Sequence, residues 1–265
     1  MERRRFLTSA VAGMALGAAA PGEAGQAQAG GGREYYELRK YKMESGPQPK
    51  LTDTYIAEAL IPALNKMGIS PVGAFSLEIG PETPILYLLL PSQSVETLVS
   101  SDLRLAQDEA FLKAAAPFWS APAKEPAFQR VQSSLMIAFE GHPKLTVPPV
   151  TASKGKRVFQ LRTYESPSNA AHVRKVEMFH SGEFGAFERA GFWQVFYGDS
   201  LIGERLPNLT YMLSFPDIAG MNEKWAAFGA DPDWKKLIQN PRYNYESIVT
   251  NITNLILHPT SYSQI

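Results

Sequence analysis

The chain has 265 residues, of which 45% are hydrophobic and 20% are charged, and its 26 basic residues balance its 26 acidic ones. This neutral balance argues against nucleic acid as the main partner, because nucleic-acid-binding proteins carry a basic face. The chain contains no cysteine, which excludes disulfides, zinc–thiolate sites, iron–sulfur clusters and thiol nucleophiles.

The first 29 residues have the pattern of an export signal. Arginines at residues 3–5 precede an apolar run over residues 6–20, which is too short to span a membrane. The sequence AQA at residues 27–29 fits a signal-peptidase site. The arginine pair followed by Phe6-Leu7 resembles the twin-arginine type. We therefore expect export from a bacterial or archaeal cytoplasm to the periplasm or beyond, with no transmembrane segment in the mature chain; a disordered or helical leader is the alternative.

The remainder of the chain repeats itself at an offset of 123 residues, since "YYELRKYK" (35–42) has its counterpart in "VFQLRTYE" (158–165). In the first half, the pattern of apolar residues and turns predicts a strand, a helix, two strands, a helix and a strand. These predicted elements lie at 35–42, 51–67, 71–80, 84–91, 108–118 and 128–143. Gly68 is expected to end the first helix.

The second half has the same predicted order at 158–165, 168–191, 192–200, 209–217, 231–243 and 245–259. Strand, helix, strand, strand, helix, strand is the order of a ferredoxin-like unit. We predict an α+β fold with two such units at residues 34–143 and 157–259, joined by a linker at 144–156. One unit alone leaves a face of its sheet bare. The two sheets are therefore expected to pair within the chain as a pseudo-two-fold dimeric α/β-barrel.

The repeated strand places an arginine and a tyrosine on one face, because alternate side chains of a strand point to opposite faces. We expect Leu38 and Leu161 to face the helices. The polar set, which should then face the space between the sheets, is Arg39, Tyr41, Arg162 and Tyr164. Tyr211, which we align with Tyr87, joins this set as a candidate ligand contact.

Two interpretations of the arginines remain open. A guanidinium group binds a carboxylate or phosphate through two parallel hydrogen bonds, so Arg39 and Arg162 could hold an anionic ligand. Alternatively, each arginine pairs with a local carboxylate such as Glu37 or Glu165 and holds strands together.

Three segments resemble the NIPSNAP family: "QLRTYE" (160–165), "FWQVFYG" (192–198) and "WAAFGADPDWKKL" (225–237), with a helix break expected at Gly229. The resemblance is weaker in the first half, where Phe111 stands in place of Trp234. It implies the dimeric α/β-barrel fold that the repeat predicts. It implies no reaction, because biochemical function in this family is poorly defined.

Catalytic signals are weak. His180 and Glu183 are three residues apart on a predicted helix and form the best acid–base pair by proximity, although a solvated or capping pair is the alternative. The spacing of the four histidines does not predict a metal site. There is no Gly-x-Ser-x-Gly elbow and no glycine-rich phosphate loop in the chain.

Two functional hypotheses follow. The first is a binding or assembly protein that holds a small apolar or anionic ligand between its sheets, or that associates with other proteins or with copies of itself. The second is a small oxidative enzyme, monooxygenase-like or heme-dependent, which the family's barrel relatives suggest by analogy alone. We favour the first because no catalytic constellation is visible. The sequence does not identify a cofactor.

Overall fold

The computed structural model describes residues 32–265, and the predicted export signal at 1–29 lies outside them. Eight strands are present among the described residues: β1 Tyr35–Lys42, β2 Gly73–Ile79, β3 Ile85–Ser92, β4 Arg130–Ala138, β5 Val158–Glu165, β6 Trp193–Ile202, β7 Asn208–Phe215 and β8 Asn251–Pro259. Each predicted strand is therefore found, in the predicted order.

Ten α-helices lie between these strands: α1 Pro47–Tyr55, α2 Ile61–Lys66, α3 Val95–Val99, α4 Ser101–Leu105, α5 Glu109–Trp119, α6 Asn169–Met178, α7 Phe184–Arg189, α8 Ile218–Ala230, α9 Pro232–Ile238 and α10 Tyr245–Ile248. A π-helical turn joins α1 to α2 at Ile56–Leu60, and another joins α6 to α7 at Phe179–Glu183. The two π turns are 123 residues apart, so the repeat extends to this local irregularity. No helix within residues 32–265 is both long and apolar enough to cross a membrane.

Local side chains explain where the helices begin and end. Ser168 and Asp231, for example, precede α6 and α9 and accept a backbone N–H of the first turn. Gly68 and Gly191 follow α2 and α7 with φ of +81° and +73°, the conformation in which glycine ends a helix, so the expectation for Gly68 is confirmed. The break expected at Gly229 lies two residues later, because Asp231 is the cap at which α9 begins.

The eight strands form one closed antiparallel barrel in the order β1-β3-β2-β8-β5-β7-β6-β4. The first repeat contributes the run β4-β1-β3-β2 and the second contributes β8-β5-β7-β6. Pairing of β2 with β8 and of β4 with β6 closes the ring. The sheets thus meet edge to edge, which leaves no unpaired strand edge on either repeat.

Three apolar cores result. One fills the barrel and contains Tyr36, Phe75, Phe159 and Phe196. The others lie outside the barrel, where each repeat packs its helices against its own half of the sheet. Apolar side chains fill the middle of the barrel, and a cavity of about 360 Å³ with polar residues such as Lys40, Gln132 and Glu204 in its lining lies at one end.

The predicted direction of the repeated strand is wrong. Leu38 and Leu161 contact the core inside the barrel, whereas Tyr41 and Tyr164 lie in the two cores beneath the helices. Alternation determines which residues share a face but not which face is inward. The apolar face of each strand turns into the barrel, where Leu38 and Leu161 pack with the aromatic residues of the interior core.

The alignment of Tyr87 with Tyr211 is also wrong, by one residue. Tyr211 lies opposite Arg162, and the residue opposite Arg39 is Leu88. A shift of one residue moves a side chain to the other face of a sheet. Accordingly, Tyr87 belongs to the barrel core and Tyr211 to the core beneath the second repeat's helices.

An acid-sensitive contact joins α6 to the turn after α9. The Glu177 carboxylate accepts hydrogen bonds from Arg242 at 2.5 and 2.7 Å and from the Tyr243 hydroxyl at 2.8 Å. The Arg242 guanidinium first, and Tyr243 second, lower the pKa of Glu177 from 4.5 to about 2. Because the folded-state pKa is depressed, this contribution to stability is complete above about pH 4.5 and is lost as the pH falls towards 2.

We therefore expect Glu177→Gln to reduce the acid dependence of stability over this interval. The measurement is the urea midpoint of both proteins at pH 5.5 and pH 3. Equal losses for the wild-type protein and the variant would show that other carboxylates determine the acid sensitivity.

Candidate ligand-binding site

Arg39, in the first repeat, is buried, and each of its three side-chain nitrogens donates a hydrogen bond. It donates to both oxygens of Glu37, at 2.5 and 3.2 Å, to Asp102 at 2.9 Å and to Ser101 at 3.0 Å. Glu37 accepts a further hydrogen bond from Ser133 at 2.7 Å. This closed network is the structural pairing that the sequence left open, and Glu37 is the partner we named.

Arg162, the counterpart of Arg39 in the second repeat, has different neighbours. At the same offset of 123 residues, Gln160 replaces Glu37 and Trp225 replaces Asp102. The Arg162 guanidinium lies 4.7 Å from the Trp225 ring centre and 5.3 Å from that of Tyr164. Both carboxylates that neutralise the first arginine are thus exchanged for neutral side chains.

The hydrogen bonding of Arg162 is incomplete. It donates to the Tyr164 hydroxyl at 2.9 Å, and its Nε is buried without a partner. Within residues 32–265, no carboxylate lies within salt-bridge distance of it. Glu165, the other partner we considered, is paired with Arg205 at 2.8 Å. The cost of burying an unpaired charge is large, and Arg162 lacks the carboxylate compensation that Arg39 has.

A second cation lies beneath the same helices. Lys175 on α6 has no exposed surface and donates to Glu183 in the π turn at 2.6 Å. Its ammonium lies 4.4 Å from the Phe179 ring centre and 5.1 Å from that of Tyr164. Burial lowers the pKa of Lys175, and the Glu183 carboxylate opposes this effect. Arg162, Lys175 and Glu183 together leave one positive charge uncompensated.

Two phenols bridge these groups. The hydroxyls of Tyr164 and Tyr211 lie 2.9 Å apart, and the rings of Tyr211 and Tyr197 stack at 5.3 Å. Burial raises the pKa of both Tyr164 and Tyr211, so each keeps its proton at neutral pH. One hydrogen bond within the pair uses one of the two protons, which leaves the other available as a donor.

We define the candidate site as Arg162, Tyr164, Lys175, Tyr211 and Trp225. Arg162 and Trp225 are partly exposed, and Tyr245, whose ring lies 6.4 Å from that of Tyr164, is 39% exposed. The cluster is therefore buried at Tyr164, Lys175 and Tyr211 and partly exposed at Arg162 and Trp225. The structure brings three of the predicted residues together here, while Arg39 and Tyr41 lie in the first repeat.

His180 and Glu183 do not form a pair. The exposed His180 ring stacks on Phe139, accepts from the Gly141 amide at 3.1 Å and lies 2.9 Å from the Val176 carbonyl. Glu183 points the other way, to Lys175. The π turn that separates them rotates two residues three apart onto different surfaces, so the spacing of an α-helix misleads here.

Sequence reasoning missed Lys175, Trp225 and Gln160. Comparison of the two repeats at the offset of 123 could have found them. Lys175 aligns with Thr52 of the first repeat, and Glu183 aligns with Leu60. A charged pair that occurs in only one of two otherwise matching units is a signal of a specialised site.

Solved structures with a similar fold include candidate monooxygenases from two bacteria. The protein from Fusobacterium nucleatum is 10% identical, with a TM-score of 0.56, and the match covers 86% of this chain and 93% of that chain. The protein from Lactobacillus acidophilus is 9% identical, also with a TM-score of 0.56, and the match covers 86% and 94%. At these identities the similarity concerns the fold alone.

Single-domain structures match one repeat. An uncharacterised NIPSNAP-like domain protein from Burkholderia xenovorans is 19% identical with a TM-score of 0.37, and the match covers 41% of this chain and 90% of that chain. A search of curated proteins found no match. The NIPSNAP family model matches twice, at residues 36–140 and 159–264, and so covers both repeats. The chain therefore belongs to the NIPSNAP family and carries two copies of its domain in one barrel.

Proposed function

We propose that this protein binds a small anionic ligand with an aromatic or apolar body at the Arg162 site of its second repeat. We also interpret each repeat as a ferredoxin-like unit, on the strand order and the position of the helices. The ligand would lie between the sheet and the helices, and not between the two halves of the barrel. The observation that carries the proposal is the contrast between Arg39, which has two carboxylate partners, and Arg162, which has none in the described part of the chain.

The chemistry of the site supports this ligand class. A guanidinium group with free N–H groups binds a carboxylate through charge-assisted hydrogen bonds. The remaining phenol proton of the Tyr164–Tyr211 pair supplies a further donor. Trp225 offers a flat apolar surface beside Arg162, which suits a ring. The same groups would repel an organic cation, because the cluster carries a net positive charge.

The test is a calorimetric titration with 4-hydroxybenzoate and with its neutral amide. We expect the carboxylate to bind and the amide to bind at least 10-fold more weakly, since only the carboxylate compensates Arg162. Arg162→Met should reduce affinity for the carboxylate at least 10-fold. Arg205→Met, which removes an exposed arginine on the barrel rim, is the matched control and should bind as the wild type does.

Gln160→Glu provides a sharper variant, because it restores in the second repeat the carboxylate that neutralises Arg39 in the first. Gln160 accepts from Trp225 at 2.7 Å and donates to Asn254 at 2.9 Å. A glutamate keeps the first bond, and Asn254 can rotate its amide to donate in the second. We expect normal folding and loss of anion binding. Unchanged affinity in both Gln160→Glu and Arg162→Met would refute the proposal.

The oxidative alternative is tested with the same protein. Similar folds include candidate monooxygenases, but their identity to this chain is too low to transfer an activity. Oxygen consumption with the bound aromatic acid, and a Soret band on addition of heme, are the measurements. Turnover that disappears in Arg162→Met would make the ligand a substrate.

A further inference from the structure

The first repeat contains a cavity of its own on the outer face of β1, beneath α5. Its volume is about 350 Å³, within the range of small-molecule sites. Five aromatic side chains line it, namely Tyr41, Tyr55, Phe118, Trp119 and Phe128, together with Asp102. None of these residues belongs to the Arg162 site.

The aromatic walls hold one another in place. Tyr55 and Phe118 stack with ring centres 3.9 Å apart, and Phe118 and Phe128 stack at 5.4 Å. Trp119 donates its indole N–H to the Tyr55 hydroxyl at 2.9 Å. The indole N–H is thereby satisfied within the protein, and the rings form a fixed surface. A fixed surface loses little side-chain entropy when a ligand binds.

The charge beside this cavity is negative. Arg39 also lines it, but Glu37 neutralises that arginine through two hydrogen bonds. The negative charge of Asp102 then exceeds the positive charge of the cluster, and the Asp102 side chain is 60% exposed. The cluster Glu37, Arg39 and Asp102 carries a net charge of −1, whereas the corresponding cluster of the second repeat carries +1.

We propose that this cavity binds a small organic cation of the alkylammonium class. The faces of aromatic rings carry negative potential and attract quaternary ammonium groups, and several rings around one pocket strengthen the attraction. Asp102 adds a carboxylate at the edge without requiring the cation to displace Arg39. The two repeats would thus bind ligands of opposite charge on the same face of pseudo-equivalent strands. The proposal does not depend on the function of the Arg162 site.

The experiment is a calorimetric titration of the full chain with choline and with 3,3-dimethylbutan-1-ol, a neutral compound of the same shape. We expect choline to bind at least 10-fold more tightly. Asp102→Asn should weaken choline about threefold or more while leaving the neutral alcohol unchanged. Asp233→Asn removes an exposed carboxylate in the second repeat that is likewise paired with an arginine, and is the matched control.

Trp119→Leu is a second variant that leaves every charge in place. It should weaken choline at least 10-fold, and circular dichroism establishes that each variant is folded. Equal affinity for choline and the alcohol would show an apolar pocket without cation selectivity and would overturn the proposal. Absence of choline binding at millimolar concentration, or unchanged affinity in both variants, would overturn it as well.

Discussion

Replacing Lys175 with methionine should lower the free energy of unfolding by about 3–5 kcal/mol, because it leaves a buried carboxylate without a partner. Lys175 and Glu183 are 0% and 3% exposed and lie 2.6 Å apart. The Lys175 ammonium also lies over the rings of Tyr164 and Phe179, so its removal costs packing in addition to charge. Urea unfolding at pH 7, followed by circular dichroism, measures the effect.

The matching double variant separates the charge from the packing. Lys175→Met combined with Glu183→Leu should recover most of the lost stability, because well-packed apolar residues replace a buried ion pair at little cost. The first repeat shows that uncharged residues can fill these positions, since its corresponding residues are Thr52 and Leu60, both with 0% exposure. A double variant that is as unstable as Lys175→Met alone would show that the loss comes from packing.

Arg39→Met should lower the stability of the protein, whereas Arg162→Met should lower its affinity for the ligand. Arg39→Met leaves the carboxylate of Glu37, which is 7% exposed, without its cationic partner. It should lower the free energy of unfolding by about 3–5 kcal/mol at pH 7. Arg162→Met leaves no carboxylate without a partner and removes mainly the contacts with Trp225 and Tyr164. We therefore expect the free energy of unfolding to change by less than about 1 kcal/mol. The same measurement of urea unfolding compares the two variants.

The pH dependence identifies the cause of the Arg39→Met effect. An unpaired buried carboxylate has a raised pKa and is relieved by protonation. The deficit of Arg39→Met relative to the wild type should therefore shrink as the pH falls from 7 to 5, and the additional change Glu37→Leu should reduce it at both pH values. Equal destabilisation by Arg39→Met and Arg162→Met would contradict the assignment of one arginine to structure and the other to a ligand.

Much of the fold was predictable from the sequence. The second copy of Leu-Arg-x-Tyr at a constant offset, the apolar periods and the glycines after α2 and α7 predict the element order and the division into two repeats. These features are local, because capping and periodicity act within a few residues. The last predicted strand was partly wrong, since residues 245–248 form α10 before β8 begins at Asn251.

The local signals could not reveal which face of β1 and β5 lies inside the barrel. That choice depends on the closure of the sheet, which places Leu38 and Leu161 against the apolar core of the interior. Nor could they pair Arg162 with Trp225, because the contact joins a strand to a helix 63 residues later. The same holds for Arg39 and Asp102.

The sequence by itself determined that the chain carries two matching units and that each has an arginine in its first strand. The tertiary structure decided what each arginine does. Residues 37 and 102 bring two carboxylates to Arg39, whereas residues 164 and 225 bring a phenol and an indole to Arg162. The physical reason is that the energy of a buried charge depends on the groups within a few ångströms of it, and those groups come from parts of the chain that only folding brings together.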